Sequence, residues 1–486
     1  MSDLPQTTAP ATVKRGAEIE VLIESLAFGG EGVGRVDGLV VFVPDTLPGQ
    51  KVLARVQRKK SSYAKARLLE ILQPSADQVQ PRCVHFDDCG GCTFQHYRYE
   101  KQLEAKSAQV SETLQHLGGL SNSPILPILP TPNLFFYRNK MEYTFGVQRW
   151  IPKAEANSGV EIADKDFALG LHVRGRYEKI LSIDECHLQS EKSNAIRNFV
   201  SAWARKSKLL PYTTRDHSGF WRFLVIREGK NTDQIMVNIV TNEGGKAGIK
   251  AVDQLAAELL KRFPEVTTIV HSINRKKAQV ASGQEARVLH GDGMIFENIG
   301  DLQFRISPES FFQTNTHGTE LLYAKVAEFA ELRGDEVLFD FYCGAGTIGI
   351  YLSQSVQKVV GIEVIPDAIR DAEQNCELNG IDNCHFICGD LKEQLESTES
   401  KLAGHGTPDV IVFDPPRAGL HPAVIERSLA FGAEKIVYVS CNPGTFARDA
   451  KMLCEGGYSL RRVQPVDMFP HTPHIELVSV FHKNPI

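Results

Sequence analysis

The sequence predicts a multidomain α/β protein with an OB-like N-terminal β-barrel, a central α+β domain and a C-terminal, Rossmann-like doubly wound domain. Its 486 residues exceed what one hydrophobic core organises, which indicates several domains. Short strand-like runs separated by Gly-rich turns fill residues 13–73, and strands alternate with helices from about residue 320. We expect domain ranges of 13–75, 76–325 and 326–486.

The composition argues against a membrane protein. No run approaches the roughly 20 apolar residues that cross a bilayer, and the polar N-terminal segment has no signal-peptide core. We therefore expect a cytoplasmic protein without a membrane partner. In that reducing compartment the ten cysteines are expected to bind metal, catalyse or pack, rather than to form disulfides.

The N-terminal runs IEVLIESLA, GLVVFVP, KVLARVQRKK and YAKARLLEIL predict a small barrel of the OB type, a common oligonucleotide platform. Seven Lys/Arg and no Asp/Glu lie between Lys51 and Arg67, with Tyr63 among them. A basic surface with an aromatic ring suits single-stranded RNA, because bases stack while phosphates pair. A solvated charged surface is the alternative interpretation.

The central region combines strand runs such as FALGLHV and DQIMVNIVT with helical ones such as AVDQLAAELLKRF, which indicates an α+β domain. Its first residues contain three clustered cysteines, and a fourth follows in IDECHLQ: Cys83, Cys89, Cys92 and Cys186. Three thiolates with a remote fourth suit either a [4Fe-4S] cluster or a structural zinc. Unliganded packing cysteines are the remaining alternative.

The C-terminal region contains a candidate nucleotide site. FYCGAGTIG fits G-x-G-x-x-G after a buried strand, and Glu363 follows its first glycine, Gly344, by 19 residues. The glycines permit a tight turn and close backbone approach, and the acidic group can bind a ribose. NAD and S-adenosylmethionine both use this geometry. Asp414 stands at a later strand tip in VIVFDPPRAGL.

Cys441 has an unusual position for a cysteine. The apolar run EKIVYV ends at Ser440, and Pro443 prevents the strand from continuing. A strand tip followed by a turn exposes a side chain, so Cys441 is a better candidate nucleophile than a buried cysteine.

Five motifs together resemble the RNA 5-methyluridine (uracil-C5) methyltransferase family: SPESFFQTN, DFYCGAGTIG, FDPPR, VSCNPGT and HTPHIELVSVF. The likeness runs from about residue 13 to the C-terminus. It is greatest to members with a TRAM domain and an iron-sulfur cluster, in type the 23S rRNA uracil-5-methyltransferases. The resemblance implies an enzyme of the EC 2.1.1 class that uses S-adenosylmethionine to methylate uracil C5 in RNA.

The resemblance also implies residue roles. Cys441 would add to uracil C6, and Glu476 would remove the C5 proton, with partial burial and a pKa tuned toward working pH. The four early cysteines would hold a [4Fe-4S] cluster in a structural or RNA-binding role. Phe311 or Phe312 would stack on the displaced base or pack in the core. Contacts to S-adenosylmethionine are implied for Gln313, Tyr342, Thr347, Glu363, Asp390 and Asp414.

Thr347 stands where relatives often have asparagine, but the family contact there uses the main-chain carbonyl. The target uridine should lie in a loop or be flipped out of a helix. Ribosomal RNA is the favoured substrate and tRNA the first alternative. Two other classes remain as alternatives: a radical methylthiotransferase, and an RNA-binding scaffold without catalysis. The sequence indicates no protein partner.

Overall fold

The computed structural model describes residues 13–162, 164–396 and 401–485. Residues 1–12, which belong to the polar N-terminal segment that predicts no signal peptide, lie outside this range. None of the helices in the described part of the chain is both long and apolar enough to cross a membrane.

The N-terminal strands close into a barrel with the order β1-β2-β3-β5-β4. Alternate residues of β4 point into the barrel core, so the basic residues between them face solvent. The basic run from Lys51 to Arg67 thus covers one outer face of the barrel. The strands are β1 (Glu18–Leu26), β2 (Gly32–Val36), β3 (Leu39–Val43), β4 (Lys51–Lys59) and β5 (Tyr63–Gln73).

The cysteine-rich segment leads from the barrel into helix α1 (Tyr99–His116), which the short strand β6 (Leu129–Pro130) follows. Helix α1 fully buries two polar side chains, Gln102 and Lys106, and almost fully buries Gln109. Because buried polar groups need partners, this helix must make specific hydrogen bonds on several sides.

The middle of the chain forms a seven-stranded sheet with the order β13-β12-β11-β10-β7-β8-β9. Helices α3 and α4 cover it with one hydrophobic core, an α+β arrangement of the kind that the sequence predicts. The elements are β7 (Lys140–Gly146), α2 (Lys153–Ala156), β8 (Ala168–Val173), β9 (Arg176–Ser182), α3 (Glu191–Lys206), β10 (Trp221–Glu228), β11 (Ile235–Thr241), α4 (Gly245–Arg262), β12 (Thr268–Ile273) and β13 (Glu285–His290).

A hairpin and a helix that precede the doubly wound pattern share the C-terminal core. They are β14 (Ile295–Ile299), β15 (Leu302–Ile306) and α5 (Thr316–Ala330), and their buried side chains pack with those of the C-terminal sheet. An apolar face does not encode which sheet covers it. We therefore propose that the boundary between the central and the C-terminal domain lies near residue 295, from which side chains pack in the C-terminal core, instead of at residue 326.

The C-terminal sheet has the order β18-β17-β16-β19-β20-β22-β21-β6, with β16 to β20 parallel and β22 antiparallel to β20. Carboxyl ends of the parallel strands therefore meet the amino end of β22 at one edge. The elements are β16 (Val337–Phe341), α6 (Thr347–Leu352), β17 (Lys358–Glu363), α7 (Pro366–Asn379), β18 (Cys384–Cys388), α8 (Leu391–Glu396), β19 (Val410–Phe413), α9 (Pro422–Phe431), β20 (Lys435–Ser440), α10 (Pro443–Glu455), β21 (Tyr458–Asp467) and β22 (Glu476–Lys483).

Candidate active site

One edge of the C-terminal sheet gathers the chemically active side chains that the sequence predicts. Tyr342 follows β16, Asp414 follows β19 and Cys441 follows β20, while Glu363 is the last residue of β17. Glu476 is the first residue of β22, and it reaches the same edge only because that strand is antiparallel. Ligands of open α/β sheets bind at this edge.

The glycine turn after β16 forms an open cradle. Gly344 has a φ of 55°, and its N–H donates to Oε2 of Glu363 at 3.2 Å. A Cβ built on Gly344 would meet no atom within 4 Å, whereas one on Gly346 would lie 2.8 Å from the Phe386 ring. The turn is thus packed on one side and open on the other, where a ligand can approach the backbone.

Asp340 of β16 is a buried carboxylate that the sequence analysis did not single out. Its Oδ2 accepts a hydrogen bond from the Gly349 N–H at 2.9 Å, and its Oδ1 has no partner within the described residues. Burial, with the carboxylates of Asp414 and Glu363 nearby, raises the pKa of Asp340 to about 7. Its signal in the sequence was an acidic residue inside an apolar strand.

Asn442 fixes the turn that carries Cys441. Its Oδ1 accepts from the Gly444 N–H at 3.0 Å and caps helix α10, and its N–H donates to the Ser440 hydroxyl. Its Nδ2 donates to the Arg417 carbonyl at 3.0 Å. The turn that carries Cys441 is therefore tied to the loop that contains Asp414, and Cys441 is half-buried.

Cys441, Glu476 and Asp414 share one electrostatic environment with Arg417. Burial, followed by the charges of Glu476 and Asp414, raises the pKa of Cys441 to about 11, and Arg417 opposes the rise. Burial and Asp414 raise the pKa of Glu476 to about 8, again against Arg417. Glu476 is 6% exposed, more buried than we expected from the sequence.

Sequence reasoning missed Arg417 and His474 as members of this site. The Arg417 guanidinium lies 3.4 Å from Nδ1 of His474, and it is the cation whose charge lowers the pKa of both Cys441 and Glu476. The signals that could have found them were an arginine directly after Asp-Pro-Pro and a histidine two residues before the glutamate.

The remaining predicted nucleotide contacts have the following neighbours. Asp390 lies two residues beyond the end of β18. The residue between them, Gly389, donates its N–H to the Glu363 carbonyl at 2.9 Å. Burial, then the charge of Asp390, raises the pKa of Tyr342 to about 12. Thr347 contacts the Tyr323 hydroxyl at 2.7 Å, and the Gln313 carbonyl accepts from Nδ2 of Asn139 at 2.9 Å.

The two phenylalanines of SPESFFQTN have different environments. Phe312 is 5% exposed and packs in the C-terminal core, whereas Phe311 is 70% exposed. Core packing is therefore the role of Phe312, and only Phe311 presents a ring to solvent.

The four early cysteines line one cavity of about 290 Å³. The Gly91 N–H points to Sγ of Cys89 at 3.4 Å, and Nε2 of Gln95 donates to Sγ of Cys92 at 3.2 Å. Among the described residues, however, no group of three or more His, Cys, Asp or Glu side chains is arranged to hold a metal ion. The metal-binding role of Cys83, Cys89, Cys92 and Cys186 stays a prediction.

Comparison with known proteins gives two family matches. Residues 297–484 match the tRNA (uracil-5-)-methyltransferase family, and residues 12–69 match the TRAM domain. An uncharacterised RNA methyltransferase of Chlorobaculum tepidum is 39% identical over 473 residues, which are 97% of each chain. One of Bacteroides thetaiotaomicron is 39% identical over 453 residues, 93% of this chain and 99% of the relative.

One solved structure is similar along almost the whole chain. It is the tRNA (uracil-54, C5)-methyltransferase of Pyrococcus abyssi in complex with S-adenosyl-L-homocysteine, with a TM-score of 0.72 and 31% identity. The likeness covers 95% of this chain and 100% of that protein. A likeness of that extent reaches all three domains of this chain.

Proposed function

The chain belongs to the tRNA (uracil-5-)-methyltransferase family, and on that premise we propose that it methylates uracil C5 in RNA through a covalent adduct with Cys441. It is an S-adenosylmethionine-dependent RNA methyltransferase. The observation that carries the proposal is the meeting of Cys441 with Asp414, Glu476 and Arg417 at the sheet edge.

The glycine turn and its neighbours fit S-adenosylmethionine, which supplies an electrophilic methyl group when bound. Gly344 leaves open space above the turn, and Glu363 at the end of β17 can bind ribose hydroxyls. We assign the remaining contacts, as the family resemblance implies, to Gln313, Tyr342, Thr347, Asp390 and Asp414.

The chemistry explains why a cysteine lies at this edge. Uracil C5 is a weak nucleophile, so the Cys441 thiolate first forms a bond to C6 and the C5=C6 electron pair moves into an enolate. C5 would then take the methyl group from S-adenosylmethionine, whose methyl–sulfur bond breaks with its electron pair kept by the sulfur of the departing thioether. Glu476 takes the proton from C5, and the electrons of the broken C–H bond restore C5=C6 as the Cys441 thiolate leaves.

The environment of each group fits its proposed task. Glu476 is buried and its pKa of about 8 lies near working pH, as a general base requires. Cys441 needs help to ionise because burial raises its pKa, and Arg417 supplies the stabilising positive charge.

RNA binding is assigned to the TRAM barrel. Its basic outer face presents Arg58, Lys59, Lys60 and Arg67, which make no ion pair with any described residue. Phosphates of flanking single-stranded RNA can bind there while the target uridine, unpaired or flipped out, enters the sheet edge. We keep the cytoplasm as the place of action, where RNA and reduced thiols occur together.

Large-subunit ribosomal RNA is our first candidate substrate, because the chain combines a TRAM barrel with four clustered cysteines. Transfer RNA is the second candidate, since the similar Pyrococcus abyssi enzyme is a tRNA (uracil-54, C5)-methyltransferase. Mapping of 5-methyluridine in both RNAs from a strain that lacks this gene decides between them. Loss at a ribosomal position supports the first, and loss only in tRNA supports the second.

We also propose that the four early cysteines hold a [4Fe-4S] cluster. The assignment rests on the family resemblance, and the cavity that all four cysteines line, with hydrogen bonds to two of the sulfurs, is compatible with it. Iron and acid-labile sulfide in protein purified without oxygen test the proposal, and stoichiometric zinc would contradict it.

The covalent mechanism is tested with RNA that contains 5-fluorouracil, which has no C5 proton to lose. In the presence of S-adenosylmethionine we expect a protein–RNA adduct that survives denaturation. Cys441→Ala should abolish it, whereas the matched Cys454→Ala, in a half-buried cysteine of α10 that lies away from the edge, should not. An adduct undiminished in Cys441→Ala would refute the nucleophile, and RNA binding without any adduct would favour a scaffold.

A further inference from the structure

We propose that Tyr99, Gln102 and Lys106 of helix α1 are positioning residues for Glu476. They hold the loop of residues 467–475, here called the base loop, which connects β21 to β22 and ends directly before Glu476. The inference rests on the proposed role of Glu476 and adds to it a link between that base and the cysteine-rich segment.

The three side chains lie on one face of α1, because their spacing of three and four residues returns to the same side of a helix. Nζ of Lys106 contacts Oδ1 of Asp467 at 2.6 Å and donates to the Phe469 carbonyl at 3.2 Å. The Tyr99 hydroxyl donates to Oδ2 of Asp467 at 2.9 Å. Lys106 and Asp467 are both fully buried, so neither charge can turn to water instead.

Gln102 joins the base loop to the segment that carries the cysteines. Its Oε1 accepts the His471 N–H at 3.0 Å, and its Nε2 donates to the carbonyls of Phe94 and Tyr97 at 3.0 and 2.8 Å. This side chain is fully buried, and both ends of its amide are used. It is therefore a bridge with a fixed length between two loops that are distant in sequence.

The cysteine-rich segment also contacts the base loop directly. The N–H groups of Thr93 and Phe94, immediately after Cys92, both donate to the His471 carbonyl at 2.8 and 2.9 Å. His471 has a φ of 65°, and its ring stacks on Phe135 with centroids 4.6 Å apart. A non-glycine residue in the left-handed region needs such external contacts to hold it.

The base loop thus takes much of its conformation from α1 and the cysteine-rich segment, while Tyr137 and Asn315 donate to the carbonyls of Pro470 and Met468. Because β22 begins at Glu476, the path of the loop sets where this strand enters the sheet edge and where the carboxylate lies. Proton removal depends steeply on this position, since a shift of about 1 Å can cost about 100-fold in rate. Cys441 lies on a different turn, which Asn442 fixes from within the C-terminal domain.

Because Glu476 and Cys441 are held by different contacts, loosening the base loop should impair one step of the reaction and not the other. Attack by Cys441 and methyl transfer do not use Glu476, whereas loss of the C5 proton does. A loosened base loop should therefore leave RNA trapped as the methylated covalent adduct. A general loss of folding would instead slow adduct formation and proton release together.

Gln102→Leu is the test variant, and Gln109→Leu is its matched control on the same helix. Gln109 is also buried, but its Nε2 donates to the carbonyls of Leu26 and Ala27 in the barrel and not to the base loop. We expect Gln102→Leu to lower tritium release from [5-³H]uracil RNA by about tenfold or more. Its rate of adduct formation with 5-fluorouracil RNA should stay within about twofold of wild type.

Tyr99→Phe is a second variant that keeps the ring and removes one hydrogen bond to Asp467, and we expect a smaller effect in the same direction. Parallel loss of both rates in Gln102→Leu and Tyr99→Phe, or equal release defects in Gln102→Leu and Gln109→Leu, would overturn the inference. Glu476→Gln is the reference. If Glu476→Gln accumulates no methylated adduct, Glu476 is not the base. If Glu476→Gln accumulates the adduct and Gln102→Leu does not, only the positioning role is wrong.

Discussion

The two proposed chemical steps should depend on pH in different ways, because the proposed nucleophile and the proposed base titrate in different ranges. Burial raises the pKa of Cys441 to about 11 and that of Glu476 to about 8. Below its pKa, a thiol gains thiolate about tenfold for each pH unit. Attack by Cys441 should therefore still rise above pH 9, where proton removal by Glu476 has levelled off.

The magnitudes follow from these two values. With a pKa of about 8, about a tenth of Glu476 is ionised at pH 7 and about nine-tenths at pH 9. Release of the C5 proton should thus rise about tenfold over those two units, whereas adduct formation by Cys441 should rise about 100-fold. The ratio of the two rate increases therefore distinguishes titration of Glu476 from titration of Cys441.

Attack is measured as the second-order rate constant of adduct formation with 5-fluorouracil RNA at subsaturating concentrations. The pH dependence of this constant reports the pKa values of groups in the free enzyme. Release is measured separately. The methylated adduct of [5-³H]uracil RNA is formed in a short pulse at pH 9, where attack is fast, and tritium is followed after a rapid jump to each test pH.

Glu476→Gln should keep the steep attack profile and lose the release phase, and the exposed Glu434→Gln should change neither. The reasoning is refuted if release continues to rise tenfold per unit above pH 9. It is also refuted if Glu476→Gln abolishes adduct formation, since the base has no part in attack.

Three further predictions concern the surroundings of the site. Arg417→Met should slow adduct formation more than about tenfold and move its rise to higher pH, because the cation that lowers the pKa of Cys441 is gone; the exposed Arg427→Met in α9 should not. Asp340→Asn should raise the free energy of unfolding at pH 8 and not at pH 4. The folded state binds this proton more tightly than the unfolded state, so stability falls as pH rises from about 4 to 7, by about 1.4 kcal/mol per pKa unit, and urea titrations at both pH values measure the difference. Asn442→Ala should cost about 1 kcal/mol in the same titration through loss of the α10 cap, and should slow adduct formation equally at every pH.

The sequence was sufficient for the architecture of the C-terminal sheet and for the residues at its edge. Buried strands that alternate with helices fix a doubly wound sheet, and strand tips then bring Glu363, Asp414 and Cys441 together, because parallel strands end on the same side. The barrel was equally readable from its short alternating strands, and the TRAM match confirms it.

The sequence could not predict the electrostatic roles of individual side chains, because these roles depend on burial and on neighbours from other strands. Asp340 lies in the motif DFYCGAGTIG and Arg417 in the motif FDPPR. Neither could be assigned a task, because the sequence does not show what each side chain faces. Phe311 and Phe312 show the same limit, since adjacent residues of one type differ from 70% to 5% exposure.

What the sequence by itself determined is the local arrangement: a cysteine at a strand tip, a glycine turn with its acidic partner, and four cysteines in a fixed spacing. What only the tertiary structure decided is which distant segments touch. Helix α1 and the cysteine-rich segment precede the base loop by more than 350 residues, yet they supply several of its hydrogen bonds. Such contacts depend on how complete domains pack, and that packing leaves no periodic pattern in the chain.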